Sequence, residues 1–287
     1  MVEQLTILAP GLLGASVAQA ARRAGAARRI VVWARRPEVR LELATLPWCD
    51  AAPTTPEEAA QGASLVVICA PVDQIVPLAG RIRDHLPAGA IVTDVGSVKG
   101  DLCRHARAAC SRPDGGVTFV GSHPMAGSEK VGHEHGRADL FQHRACFVTP
   151  LEDTPPATVE AVVRFWHELG AVPVTLSPDA HDEIVAHVSH LPHLLAVTLC
   201  HLLAGRPADW RNLAGPGLQD TTRVAAGDPR LWQGILEANR DEVLRALRSC
   251  QAELDMLHAT LANGDSSGLL AFLQRGRDWR TQLRPRP

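Results

Sequence analysis

The feature that most constrains how this chain can fold is a rhythm that fills its first 176 residues and then stops. Short apolar runs rich in Val and Ile, beginning with Leu5-Thr6-Ile7-Leu8, Ile30-Val31-Val32-Trp33 and Leu65-Val66-Val67-Ile68-Cys69, alternate with longer segments of Ala, Leu and Arg. The rhythm continues through the runs at 90–93, 117–120, 145–148 and 172–176. Strands that are apolar throughout must be covered on both faces, as in a parallel sheet with crossover helices. The expected fold class is therefore α/β, a doubly wound and mainly parallel sheet. Punctuation agrees. Thr55-Pro56-Glu57-Glu58 reads as a cap, a first-turn proline and acids near the positive helix end, and Gly25, Gly62, Gly89 and Gly170 fall where helices should stop.

After Leu176 the strand signal vanishes. Ser177-Pro178-Asp179 resembles a helix start, and helical spacing then dominates 180–203, 229–261 and 267–283, broken by a loop over 205–217. Two domains are expected, 1–176 and 177–287, the second all α. The helices of the second domain carry more apolar residues than about 110 residues should bury alone, so a homodimer through that domain is expected.

A formal net charge of -2 gives no electrostatic case for a nucleic-acid or anionic-membrane partner. The N-terminus lacks a basic start and a small-residue cleavage site, and no run of about 18 apolar residues occurs, so neither export nor a membrane span is expected. Seven scattered cysteines without a CxxC pair argue against a disulfide framework or a thiolate zinc site. A reducing cytoplasm fits these features.

Directly after the first run comes Ala9-Pro10-Gly11-Leu12-Leu13-Gly14-Ala15-Ser16, leading into a helix. It is a dinucleotide fingerprint with Ala9 in place of the first glycine; Gly11 would let the backbone approach a pyrophosphate and Gly14 would let helix pack on strand. The helix start, with Leu12 and Leu13, offers free amides and a positive dipole end to phosphates. Pro10 has no N–H to give, and Ala9, preceding proline, is expected to be extended. Ala70 and Pro71, after the third run, complete the expected cofactor side. At the end of the second run no carboxylate precedes Glu38, so the acid that would bind the ribose 2'-hydroxyl of NAD is missing. Arg35 and Arg36 stand there instead and suit a 2'-phosphate, favouring NADP over NAD.

Four further stretches recur in order: Asp94-Val95-Gly96-Ser97-Val98-Lys99; Gly121-Ser122-His123-Pro124-Met125-Ala126-Gly127-Ser128-Glu129; Ser189-His190-Leu191-Pro192-His193; and Asp220-Thr221-Thr222-Arg223 with Asp228-Pro229-Arg230-Leu231-Trp232 and Asn239. Together with the glycine turn they resemble the prephenate and arogenate dehydrogenases nearly end to end. The resemblance implies a Rossmann domain followed by a helical dimerisation domain. It also implies oxidative decarboxylation of a small cyclohexadienyl acid on the way to tyrosine. Oxidising a ring alcohol needs a group to take the hydroxyl proton as hydride leaves, and an imidazole with a pKa of about 6.5 suits that role. His123 is the expected base, and Ser97 is expected to orient the imidazole or the substrate hydroxyl. Arg223 is expected to hold a substrate carboxylate by bidentate bonds. His193, Ser189, Ser128, Glu129 and Trp232 are the other expected substrate-side residues, with Pro192 kinking their helix.

Two alternatives stand beside this. Another two-domain Rossmann reductase of the hydroxyacid kind would use a lysine in the helical domain, but Lys99 and Lys130 are the only lysines in the chain. A nucleotide-binding dimer without catalysis is suggested by the altered glycine turn, and opposed by intact Ser97, His123 and Arg223. The histidines at 187, 190 and 193, and at 133 and 135, have no carboxylate or thiolate placed to complete a metal site, so none is expected.

Overall fold

A computed structural model describes residues 1–112, 116–127, 130 and 132–283. The first half is built from β1 (Val2–Leu8), α1 (Leu12–Ala24), β2 (Ala27–Trp33), α2 (Pro37–Leu43), α3 (Pro56–Ala60), β3 (Leu65–Ile68), α4 (Val72–Ile82), β4 (Ala90–Asp94), α5 (Gly100–Cys110) and β5 (Val117–Phe119). Its five strands are all parallel, in the order β2-β1-β3-β4-β5. Alternate residues enter two separate cores. Leu5, Ile7, Ile30, Val32 and Val67 face one layer of helices, while Leu8, Val31, Val66 and Ile68 face the other. Each such aliphatic side chain, fully buried, contributes roughly 1.5–3 kcal/mol, which is why these strands are apolar without interruption.

A second, three-stranded sheet follows: β6 (Gly121–Pro124) runs antiparallel to β7 (Ala145–Thr149), and β8 (Val172–Thr175), reached through α6 (Pro156–Glu168), runs parallel to β7. The run at 117–120 was expected to be one strand with His123 beyond its end; instead His123 lies within β6, paired with Phe147. The chain changes sheets at Val120, whose N–H still reaches Val92 of β4 at 2.9 Å. Gly121 permits this crossing, because a Cβ there would come within 2.5 Å of both Cys103 Sγ and Thr149 Oγ1. Beyond the ladder, side chains join the two sheets. Ser122 donates its hydroxyl to the Asp94 carbonyl (2.5 Å), and its N–H reaches Asp94 Oδ1 (3.1 Å).

From Pro178 onward the described chain is helical, with short 3-10 turns between α7 (Pro178–Val185), α8 (Leu191–Ala204), α9 (Pro216–Thr222), α10 (Pro229–Ala238), α11 (Arg240–Ala262) and α12 (Ser266–Gln282). Ser177 caps α7 by accepting from the Ala180 N–H. Between α7 and α8 lies a π-helical turn over Ala186–His190, so residues 178–204 form one continuous helix. By length and composition that helix is apolar enough to cross a membrane. Four of its ionisable residues, His181, Asp182, His190 and His193, are nevertheless buried against the rest of the chain, while Val188, Leu195 and Leu202 are exposed.

Candidate active site

Two cavities are formed, the first at the carboxyl ends of β1, β2 and β3, where an open α/β sheet is expected to bind ligands, and the second beside β6. One, of about 460 Å³, is lined by Ala9, Pro10, Gly11, Trp33, Ala34, Arg35, Arg36, Ala70, Pro71, Arg81 and His133 among others, and no described carboxylate is in its wall. The other, of about 500 Å³, holds His123, Arg137, Arg144, Ser189, Val224 and Trp232. The segment 132–140 spans both, because Gly132 and His133 line the first while Arg137 and Leu140 line the second.

The first cavity is organised by the start of α1. Gly11 is its N-cap and a Cβ there would meet nothing within 4 Å, whereas a Cβ on Gly14 would press at 3.1 Å on Ile7 and Cys69. No side chain caps α1 and no acid lies in its first turn, so its leading amides, with the half-buried Leu12 and Leu13, remain available to an anion. Ala9 departs from expectation. Its φ is 60°, the left-handed region, rather than extended. Its N–H is tied to the Trp33 carbonyl at 2.8 Å and its own carbonyl accepts from Gly11 at 2.9 Å, so the turn keeps the glycine-type path despite the Cβ and the following proline. Around the rim, Arg81 pairs with Glu57, Arg36 lies 3.8 Å from Glu38 and His133 3.5 Å from Glu42. Arg35 pairs with no acid among the described residues.

The second cavity centres on His123, only 8% exposed. Its Nδ1 lies 2.9 Å from His181 Nε2, and His181 Nδ1 lies 2.7 Å from Asp182 Oδ1. Asp182 is held in turn by the unspent start of α5: Oδ1 accepts from the Lys99 N–H at 2.8 Å and Oδ2 from the Gly100 N–H at 2.7 Å. Beneath this, Lys99 and Asp94, both without exposed surface, form a buried ion pair. Burial, then His181 and Lys99, push the His123 pKa well below its usual value, and burial lowers that of His181 as well. The His123 imidazole is therefore neutral at neutral pH and able to accept a proton.

The far wall is aromatic. Trp232 stacks on His193 with ring centroids 3.5 Å apart and planes 6° from parallel. His193 is buried and its Nδ1 has no hydrogen-bond partner among the described residues. Ser189 is half-buried beside it. The structure thus brings His123, Ser189 and Trp232 into one cavity, with His193 directly behind Trp232. Ser97 is half-buried after β4 and makes no hydrogen bond to His123 among the described residues; His181 occupies that position instead. Arg223 is exposed and opens the short turn whose next residue, Val224, lines the cavity. Ser128 and Glu129 lie outside the described residues.

Residues 17–175 match the family description "Prephenate dehydrogenase, nucleotide-binding domain" and residues 177–275 match "Prephenate dehydrogenase, dimerization domain". The chain belongs to the prephenate dehydrogenase family. Among curated relatives of that family, the cyclohexadienyl dehydrogenase of Zymomonas mobilis is 30% identical, with 98% of this chain and 96% of that one covered. The solved Aquifex aeolicus prephenate dehydrogenase, in complex with hydroxyphenyl propionate and NAD+, superposes with a TM-score of 0.92 at 28% identity, covering 99% of each chain. Synechocystis arogenate dehydrogenase gives 0.85 at 28% identity, covering 97% of this chain and 99% of that one.

Several site residues escaped sequence reasoning. His181 and Asp182 were visible only as an adjacent polar pair in the first turns of an otherwise apolar helix, a weak signal that nonetheless marks a buried network. Arg137 and Arg144 carried no signal, and His133 was weighed only for a metal; the segment around Gly136 reaches the cavities by packing on Ala15 of α1 and through the Arg137 N–H, which donates to Ser16 Oγ at 3.0 Å.

Proposed function

We propose that this chain oxidises prephenate or arogenate with loss of carbon dioxide, passing hydride to NADP, as a step toward tyrosine. The supporting observation is a neutral, buried imidazole at 123 in a cavity that also holds guanidiniums and lacks a described carboxylate. His123 accepts the proton of the ring hydroxyl through Nε2, the nitrogen that His181 does not engage. Hydride leaves the same carbon. The bond to the ring carboxylate then breaks, and its electron pair completes the aromatic ring, so no metal is required for the decarboxylation.

A dianionic substrate needs two cationic contacts. Arg144, half-buried in the wall and paired with no acid among the described residues, serves one carboxylate. Arg223 at the rim serves the other. Ser97 orients the substrate hydroxyl, Ser189 donates to the substrate, and Trp232, backed by the stacked His193, forms the face on which its ring lies.

The residues fit a dinucleotide: Ala9, Gly11, Leu12, Leu13 and Gly14 would cradle the pyrophosphate, Ala70 and Pro71 would flank it, and Arg35 with Arg36 would grip a 2'-phosphate. When bound, the nicotinamide supplies the hydride acceptor. We take residues 1–176 as the nucleotide-binding domain and 177–287 as the substrate and dimerisation domain of a homodimer. All seven thiols are free, which suits a reducing cytoplasm.

The test measures formation of reduced nicotinamide from prephenate and from arogenate, with NADP and with NAD. Turnover of at least one substrate with NADP preferred is expected. Arg35→Ala should lower kcat/KM for NADP at least about tenfold and leave that for NAD within about twofold, since one charge-assisted phosphate contact is lost. Equal use of both cofactors by the parent enzyme would remove the case for NADP, and no turnover of either acid would remove the activity.

A further inference from the structure

The position of His181 and Asp182 behind His123 is not explained by substrate binding, because neither lines the cavity. The hydrogen-bond donors and acceptors along this chain have one consistent assignment. Asp182 is a carboxylate held by two backbone N–H groups, so it accepts from His181 Nδ1–H. His181 is then left with a bare Nε2, which accepts. His123 must donate to it through Nδ1–H. The nitrogen of His123 that remains is Nε2, without a proton.

We propose that Asp182 and His181 are positioning residues that lock His123 in the Nδ1–H tautomer, holding its Nε2 as the base toward the substrate hydroxyl. His181 fixes the ring through a T-shaped contact with Phe147 (centroids 5.1 Å apart) as well as through its bonds. Asp182 is fixed from a different element, since it caps α5 from α7. When Nε2 takes the substrate proton, the imidazolium keeps its Nδ1–H bond to His181, and the carboxylate two bonds along meets the new charge. No proton passes beyond His123. Without the string, the neutral imidazole would populate both tautomers, and the form with hydrogen on Nε2 cannot act as the base. The kinetic role rests on the activity proposed above; the tautomer does not.

The test combines kinetics with nitrogen-15 spectra of the histidine rings in the ligand-free protein, using His123→Asn to assign the His123 signals. His181→Leu keeps the bulk beside Phe147 and removes both hydrogen bonds, while His181→Gln keeps an acceptor for His123 and a donor for Asp182. In the parent protein His123 should show protonated Nδ1 and bare Nε2. His181→Leu should show both tautomers and lose about tenfold to a hundredfold in kcat, with KM changed less than about threefold, and His181→Gln should recover most of the loss. A parent His123 protonated on Nε2 would overturn the proposal. So would a His181→Leu protein with parental kcat, or a loss that lies in KM and is not restored by glutamine. If the parent turns over neither acid while the Nδ1–H tautomer is present and lost in His181→Leu, the activity fails and the positioning stands.

Discussion

Ala9 is held at a φ of 60°, a region that costs an L-residue with a Cβ about 1–2 kcal/mol. The cost is imposed by its neighbours, since both its N–H and its carbonyl are committed to the turn between β1 and α1. Ala9→Gly should therefore stabilise the protein by about 1 kcal/mol, after allowing for the extra freedom of glycine in the unfolded chain. Urea unfolding checks this: the midpoint should rise with unchanged slope, and a fall would show that the alanine conformation is not strained. The residue before a proline reads as extended from sequence, and here that local rule loses to two backbone hydrogen bonds. Gly11, Gly14 and the Arg pair were legible because each depends on its place after a strand. The Asp182–His181–His123 string was not, because residues 58 or more positions apart meet only in the fold.

At the scale of elements, the helix over 178–204 carries a feature that the proline alone did not reveal. Pro192, expected to mark a kink, follows closely on a π turn at Ala186–His190, which widens the helix one turn earlier while the helix stays continuous. His190 ends that turn, buried, with Asn239 donating to its Nδ1 at 3.2 Å. Asn239 also donates to the Asp182 carbonyl at 2.9 Å, so it fastens the break between α10 and α11 to the π turn. Burial above all pushes the His190 pKa down to about 4. The unfolded chain binds a proton at about 6.5, so between these values the unfolded state holds more protons than the folded one. The stability due to neutral His190 is complete above pH of about 6.5 and is lost as pH falls toward about 4, by roughly 3 kcal/mol in all. Unfolding midpoints at pH 7 and pH 5 should show this fall, to which the lowered pKa values of His123 and His181 also contribute, and His190→Gln should lessen it; a parent protein equally stable at both would contradict it. The split of 117–124 into strands of two sheets was likewise hidden, since only the crowding around Gly121 reveals where the chain must cross.

Across the whole molecule, the division into a strand-rich half and a helical half was legible because sheet and helix periodicities differ. The surface of the helical half carries the consequence. Leu202, Leu254, Met256, Leu261, Leu270, Leu273 and Trp279 are each more than half exposed, more large apolar surface than a lone domain usually leaves in water. Sedimentation at micromolar concentration should give twice the mass of one chain, and a single-chain mass would contradict the homodimer. The architecture converges on His123: β6 carries it, His181 of α7 engages its Nδ1, and it lines the cavity. The most direct measurement is therefore turnover by His123→Asn together with its affinity for the substrate. Affinity within a few-fold of the parent and kcat lower by at least roughly a hundredfold is the predicted result. A variant that turns over as fast as the parent would contradict the account.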